Sequence, residues 1–331
     1  MHKLTILGAG IWGTALAIQF GNRGCQVSLW GRNQTLISQM AISRFNATYL
    51  PNIKLPDAIT FYKDLDTAIA AGDIILLVTP SGSIPQLIKR IAPVINSRHQ
   101  GIAWACKGIE VNSGRWTHEV ISEVVPHLPL AAISGPSFAQ EVAIGLPTAL
   151  VIACEQEPFG RTLAEMLHSD TLRVYTTTDV IGVECGGALK NVIAIAAGIS
   201  EGLRLGENAK AALVTRGIAE VIRFTQAIGG HRETIVGLAG IGDIMLSCSS
   251  NSSRNHNFGK MIVKYGSAQK ARDKNTKVVE GVDTANAVLR IAQRHNIEMP
   301  ICEQIALILA DRITAEQAVK QLLQRQAPFK A

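Results

Sequence analysis

Lys190 stands in a run, Gly186 to Ile199, where nearly every other residue is apolar. Desolvation disfavours an ammonium and lowers its pKa toward the range useful for proton transfer. This lysine is therefore a candidate to protonate a carbonyl oxygen, and the same pattern also fits a lysine that snorkels to solvent from a helix. Lys107 follows the strand-like Gly101-Ile-Ala-Trp-Ala105, and a cation just past a strand's carboxyl end faces the crevice where ligands bind. The glycine-rich stretch from Gly237 brings Asp243 into a close backbone approach, where its carboxylate can orient a lysine or a substrate hydroxyl. Ser247, four residues on, shares the face of Asp243 if the segment is helical. Arg254, in the Ser/Asn-rich stretch Ser249 to Asn255, suits bidentate phosphate binding, although a solvated arginine in a loop has the same composition. Gly135 and Ser137, in Ser134-Gly-Pro-Ser137, offer N–H groups and a hydroxyl to a substrate oxygen or phosphate.

A second kind of chemistry is written near the start. The apolar Leu4 to Leu7 is followed by Gly8-Ala-Gly10-Ile11-Trp12-Gly13 and then by an apolar segment through Phe20, which reads as strand, glycine turn and helix. The first glycine permits a tight turn, the second lets backbone N–H groups approach a pyrophosphate, and the third lets helix and strand pack closely. The positive end of the helix dipole then faces the phosphates. In such folds an acidic residue after the second strand holds the ribose of NAD. Here Val27 to Trp30 is followed by Gly31-Arg32-Asn33, and a guanidinium pairs instead with the 2′-phosphate of NADP. NADPH is the expected cofactor, with NADH as the alternative, and a solvated Arg32 is the competing reading.

These residues need a frame. Strands are expected at Ile59 to Tyr62, Asp73 to Val78, Gly101 to Ala105, Leu130 to Ile133, Thr148 to Ile152 and Leu172 to Tyr175, with helices between most of them. The run Asp73 to Val78 is uninterruptedly apolar, as a parallel strand covered on both faces requires. It ends at Thr79-Pro-Ser81, a turn that either borders the cofactor or is a simple loop. A polar helix is expected over Thr35 to Asn46, a proline-punctuated connection over Tyr49 to Pro56, and a helix over Ser83 to Ile95. From about Val180 the pattern is helical throughout, and Thr314-Ala-Glu-Gln317 resembles a capping box. The expected fold is α/β: a Rossmann-type parallel sheet domain over residues 1–180, followed by an all-α substrate domain over 181–331. No internal repeat or low-complexity segment interrupts it.

Composition narrows the classes. The chain has 331 residues, 47% of them apolar, enough for a sizeable core in two domains. The net charge of +6 comes from lysines and arginines scattered without a long run, and aromatics are only 5%, which argues against a nucleic-acid face and for an acidic small ligand. The six cysteines lack CxxC spacing and the histidines lack HxxxH spacing, so they read as free thiols in a reducing compartment, with no metal site. Met1-His-Lys leads straight into the first strand, leaving no room for a signal peptide, and no apolar run is long enough to span a membrane. A cytoplasmic protein is expected.

The motifs GAGIWGTA, CKGIE, SGPSFA, ALKN, GDIMLSC, SSRN and VVEG occur in that order from Gly8 to Gly281. In order and spacing the chain resembles the bacterial glycerol-3-phosphate dehydrogenases, NAD(P)-dependent enzymes that interconvert dihydroxyacetone phosphate and sn-glycerol 3-phosphate. The resemblance implies that Lys190 is the proton donor and acceptor and that Lys107 lies near both cofactor and substrate. It places Gly135, Ser137, Lys190, Asp243, Ser253, Arg254 and Asn255 against substrate, with Ser247 beside them. Trp12, Arg32, Asn33, Tyr49, Lys107, Ala139, Arg254, Val278 and Glu280 fall at cofactor positions. It also implies a supply of glycerophosphate for phospholipids and, with the apolar helical domain, a homodimer. Two departures stand out: Ser247 replaces a frequent threonine, and His256-Asn257 stand where two basic residues are expected, weakening the local charge near the phosphate.

The expected mechanism places substrate in a cleft between the domains, its phosphate on Arg254 and Asn255. Lys190 protonates the oxygen as hydride reaches the ketone carbon, while Lys107 and Asp243 hold geometry and charge, and Lys107 near Lys190 would lower the latter's pKa. A two-domain dehydrogenase acting on a hydroxy acid or acyl thioester would not need Arg254. A dinucleotide-binding regulator would need none of Lys107, Lys190 and Asp243.

Overall fold

The computed structural model describes residues 2–110 and 113–325. The chain divides into two compact units, one of residues 1–110 and 115–184, the other of residues 111–114 and 185–331. Residues 1, 111–112 and 326–331 lie outside the described residues.

The first unit contains ten strands: β1 (Lys3–Leu7), β2 (Gln26–Trp30), β3 (Phe45–Asn46), β4 (Leu50–Lys54), β5 (Ile59–Tyr62), β6 (Ile74–Leu77), β7 (Gly101–Trp104), β8 (Leu130–Ser134), β9 (Thr148–Cys154) and β10 (Leu172–Thr177). Eight form one sheet in the order β10-β9-β8-β7-β6-β1-β2-β5. The strands β6 and β7 are buried along their whole length, as strands covered by helices on both faces must be. Strand order reverses between β1 and β6, and in sheets of this kind ligands bind outside the carboxyl ends at that reversal.

The sheet is parallel except at one pair. β8 and β9 run antiparallel, with Ser134 opposite Val151. Lengths explain the turn-back. The only helix between them, Ala139–Ala143, has five residues and rises roughly 8 Å, too short to return the chain along a strand of roughly 17 Å. The chain therefore comes back along the same edge, which keeps Gly135, Ser137 and Ala139 at the carboxyl ends of the parallel strands. The 11-residue helix Glu157–Leu167 is long enough, and β9 and β10 pair in parallel.

Three local expectations are corrected. The helix expected over Thr35 to Asn46 runs Gln34–Ser43 and stops because Arg44 takes a left-handed conformation (φ 61°). The connection expected over Tyr49 to Pro56 contains β4, paired antiparallel with β3 as a small separate ribbon. The expected helix Ser83 to Ile95 is Ile84–Ile91 flanked by 3₁₀ turns, because Pro93 has no N–H to continue the ladder.

The second unit is helical throughout its described residues. Its organising element is the 23-residue helix Val180–Gly202, which begins in the first unit and crosses the unit boundary after Glu184. This helix is long and apolar enough to cross a membrane, contrary to the reading that no run is, but 89% of its apolar window is buried inside the protein. Helices Glu207–Ala227, Asp243–Ser249, Arg254–Tyr265, Glu280–Arg294 and Pro300–Leu309 follow it.

Candidate active site

In the first unit, the glycine turn after β1 is built by backbone crowding. Gly8 has φ +130°, and a Cβ there would lie 2.3 Å from the carbonyl oxygen of Val78, while one at Gly13 would lie 1.8 Å from the oxygen of Gly8. Only glycine fits at either place. A Cβ at Gly10 would meet nothing within 4 Å, so the middle glycine borders open space at the N-terminus of helix Ile11–Asn22. No side chain caps that terminus, and its N–H groups form the anion-binding end that a pyrophosphate requires. The residues present fit a dinucleotide. Trp12 packs half-buried on the core.

Asn46, which the sequence reading passed over, holds this turn from the side. It is fully buried, and its amide donates to the oxygen of Ala9 at 3.1 Å and to Thr14 Oγ1 at 2.8 Å. Its own oxygen accepts from the backbone N–H of Tyr49 at 3.3 Å, so one side chain ties Tyr49 to the glycine turn. The only sequence signal was an asparagine ending an expected helix. At the end of β2, Arg32 is exposed, and Asn33 caps helix Gln34–Ser43 by accepting from Leu36 N at 3.1 Å.

Further along the carboxyl edge, Lys107 donates to the carbonyl oxygen of Gly135 at 2.9 Å, and Ser137 Oγ donates to the same oxygen at 3.1 Å. Gly135 has φ +122°, and a Cβ there would lie 3.0 Å from the oxygen of Ala149 on β9. The turn Thr79-Pro-Ser81 packs between the glycine turn and the Lys107 turn: a Cβ on Gly108 would stand 2.4 Å from Ser81 Oγ.

In the second unit, Lys190 Nζ donates to Asp243 Oδ1 at 2.6 Å, with the lysine side chain 13% exposed and the aspartate 1%. Packing puts them together. A Cβ on Gly186 would lie 2.2 Å from the oxygen of Ala239, in the wide helical turn Leu238–Gly242. Four residues after each of these contact points stand Lys190 and Asp243. Ser247, buried, follows one turn later on helix Asp243–Ser249.

Arg254 does not lie in a loop, as its composition suggested, but opens helix Arg254–Tyr265, whose N-cap Ser253 accepts from His256 N at 3.3 Å. The arginine is exposed, and Asn255 behind it is buried. Asn255 donates to Asn191 Oδ1 at 2.8 Å and accepts from Gly281 N at 3.0 Å. It thus joins the neighbour of Lys190 to the start of helix Glu280–Arg294, where Glu280 and the exposed Val278 lie. Asn191 and Gly281 were quoted in motifs but given no role. A Cβ on Gly281 would come within 2.8 Å of Asn191 O, so close contact requires the glycine.

Among the described residues, no group of three or more His, Cys, Asp or Glu is placed to hold a metal ion. The six cysteines form no disulfide.

A sheet with a glycine turn at its strand-order reversal, joined to a helical unit carrying a lysine–aspartate pair, defines a nucleotide-dependent dehydrogenase. The N-terminal and C-terminal domains of NAD-dependent glycerol-3-phosphate dehydrogenase match residues 3–160 and 179–320, and the chain belongs to that family. It is 44% identical over 325 residues to glycerol-3-phosphate dehydrogenase [NAD(P)+] of Alkalilimnicola ehrlichii, covering 98% of this chain and 97% of the relative. The enzyme of the same name from Xanthomonas euvesicatoria is 43% identical, with 98% and 95% covered. The crystal structure of glycerol-3-phosphate dehydrogenase from Coxiella burnetii superposes with a TM-score of 0.93 at 41% identity, covering 98% of this chain and 99% of the other. The chain is an oxidoreductase, and the family's reaction is the reversible reduction of dihydroxyacetone phosphate.

Proposed function

We propose that this chain reduces dihydroxyacetone phosphate to sn-glycerol 3-phosphate, with Lys190 as proton donor and NADPH preferred over NADH. The observation that carries the assignment of roles is the Lys190–Asp243 pair on the same helix as Asn191, which Asn255 links to the start of the Arg254 helix. Gly8, Gly10, Ile11, Trp12 and Gly13 would hold the pyrophosphate of the cofactor, with Arg32, Asn33 and Tyr49 on its adenosine side and Ala139, Val278 and Glu280 as further contacts. The chemistry such a cofactor supplies when bound is a hydride.

The chain's own residues do the rest. Arg254, with its own N–H group and that of Asn255 in the first turn after the N-cap Ser253, binds the phosphate through charge-assisted hydrogen bonds at a helix N-terminus. Lys190 gives its proton to the ketone oxygen as negative charge develops there. Asp243 aims the ammonium at that oxygen, with Ser247 beside it. Lys107, fixed through Gly135 with Ser137, supplies a second cation for substrate.

Preference for NADPH rests on Arg32, exposed at the end of β2, where a guanidinium meets a 2′-phosphate. Supply of glycerophosphate for phospholipid synthesis, a cytoplasmic location and a homodimeric state belong to the same reading. They rest on the family resemblance, and sedimentation as a monomer would overturn the last. The test of the function is oxidation of NADPH with dihydroxyacetone phosphate, beside NADH and beside unphosphorylated dihydroxyacetone. Fast turnover that needs the phosphate and favours NADPH is expected. NADPH binding without turnover would leave the nucleotide site standing and remove the substrate assignment.

A further inference from the structure

The loop that precedes the Arg254 helix, Asn251 to Ser253, is held from behind by a group of charges that the reaction does not use. Glu201 lies near the end of helix Val180–Gly202, the helix that carries Lys190 and Asn191. Its Oε1 accepts from Lys260 Nζ at 2.7 Å, and the same ammonium donates to Asn251 Oδ1 at 3.1 Å. Its Oε2 lies 3.0 Å from Nε2 of the buried His256 and 3.6 Å from Nζ of Lys210, which also pairs with Glu207 at 3.0 Å. Asn257 donates to the backbone oxygen of Asn251 at 2.5 Å. Between these contacts the two helices touch backbone to backbone: a Cβ on Gly198 would lie 1.9 Å from His256 O, and one on Gly259 would lie 2.2 Å from Ile195 O.

The helix of Lys190 therefore grips the helix of Arg254 at three levels: Asn191 with Asn255, Gly198 against His256 and Gly259, and Glu201 with Lys260. The first two fix the axis of the Arg254 helix. The third reaches through Lys260 to Asn251 and sets the loop that leads into its N-terminus. The hydrogen bond from Lys260 holds the Glu201 carboxyl below the usual carboxylate range, and burial lowers the pKa of His256. Glu201 thus faces two lysines, on two different helices, and the His256 ring.

We propose that Glu201 is a positioning residue for the substrate phosphate: by holding Lys260 against Asn251, it orders the loop and helix N-terminus on which Arg254 and Asn255 bind that phosphate. This rests on the assignment of Arg254 and Asn255 as the phosphate site. Glu201 and Lys260 are each about a third exposed, and exposed ion pairs are individually weak, so the effect on affinity is modest.

The experiment is a double-mutant cycle with Glu201→Ala and Lys260→Met, each assayed with dihydroxyacetone phosphate and with unphosphorylated dihydroxyacetone, alongside NADPH binding. Each variant is expected to raise KM for the phosphorylated substrate roughly two- to fivefold, with kcat unchanged within error. The double variant should be no worse than the single ones, because both remove one linkage. Unphosphorylated dihydroxyacetone and NADPH should be handled as by wild type, and Glu201→Gln, which can still accept from Lys260, should recover part of the loss. Unchanged KM for the phosphorylated substrate in folded variants overturns the proposal, as do equal losses with both substrates or additive losses in the double variant. If Glu201→Ala does not fold, Lys260→Met and Glu201→Gln carry the same comparison. A wild-type enzyme that does not distinguish the two substrates refutes the phosphate site itself, and the proposal falls with it.

Discussion

Asp243 is almost wholly buried and accepts a 2.6 Å hydrogen bond from Lys190, the one cation in an otherwise apolar stretch of helix Val180–Gly202. A buried carboxylate at that distance fixes where the ammonium points, which a flexible four-carbon side chain could not do alone. Replacing Lys190 by Met keeps the apolar stem and removes the proton. Turnover of dihydroxyacetone phosphate is expected to fall roughly 10²-fold or more, in line with loss of a general acid, while the affinity for NADPH, measured by fluorescence titration, is kept. Turnover close to wild type would take Lys190 out of the role.

Arg254 is exposed at the first turn of its helix, whereas Asn255 is buried in bonds to Asn191 and Gly281. The two should therefore fail differently. Because Arg254 also falls at a cofactor position, the comparison is made at saturating NADPH: Arg254→Met removes a charge-assisted contact to phosphate and is expected to lower kcat/KM for dihydroxyacetone phosphate roughly 10- to 100-fold, with unphosphorylated dihydroxyacetone little affected and thermal stability unchanged. Asn255→Ala takes away the acceptor of Gly281 N and the donor to Asn191 Oδ1, so it should also lower Tm. Steady-state kinetics on both substrates together with a thermal melt separate them, and an Arg254 variant that loses both substrates equally would place the phosphate elsewhere.

Much of this was legible before any coordinates. The glycine turn, the run of β6, the lysines and Asp243 are visible because each conflicts with its local surroundings: glycines in place of side chains, charges among apolar residues. What the sequence could not show is what long-range pairing decides. The reversal of β9 depends on the length of a helix whose ends are not marked, and β4 lies in a polar segment that pairs only because Arg44 turns the chain. Asn46 and Asn255 look like ordinary polar residues, since their importance lies in partners about 35 and 65 positions away, beyond any local pattern.

The Asn46 contacts make a separate expectation for the cofactor site. Asn46→Ala removes the donor to Ala9 O and Thr14 Oγ1, both in a buried setting, and one of the two acceptors for Tyr49 N, which keeps the backbone oxygen of residue 46. Stability to urea should drop by about 2 kcal/mol, the order expected for buried polar groups left unpaired. Because the glycine turn loses its lateral tie, the Kd for NADPH should rise roughly fivefold or more, with KM for dihydroxyacetone phosphate little changed. The same loss of stability with unaltered NADPH binding would show that Asn46 only supports the fold.

A buried acid in the helical unit predicts how stability varies with pH. Glu220, 2% exposed on helix Glu207–Ala227, accepts from the N–H groups of Ile301 at 2.7 Å and Cys302 at 3.2 Å, at the start of helix Pro300–Leu309. Burial pushes its carboxyl up to about 7 from the ordinary 4.5, against the pull of those two N–H groups. In the unfolded chain Glu220 loses its proton near the ordinary value, so between there and about pH 7 the folded state holds a proton the unfolded state has released. Stability then falls as pH rises through that window and levels off above it, by about 3 kcal/mol at most from this group. Glu220→Gln cannot ionise. Urea unfolding of both proteins from about pH 5 to pH 8 should therefore show a shallower decline for the variant, even if its amide leaves one of the two N–H groups less well paired. Identical slopes would mean that Glu220 titrates in the ordinary carboxylate range and caps the helix as a charged group throughout.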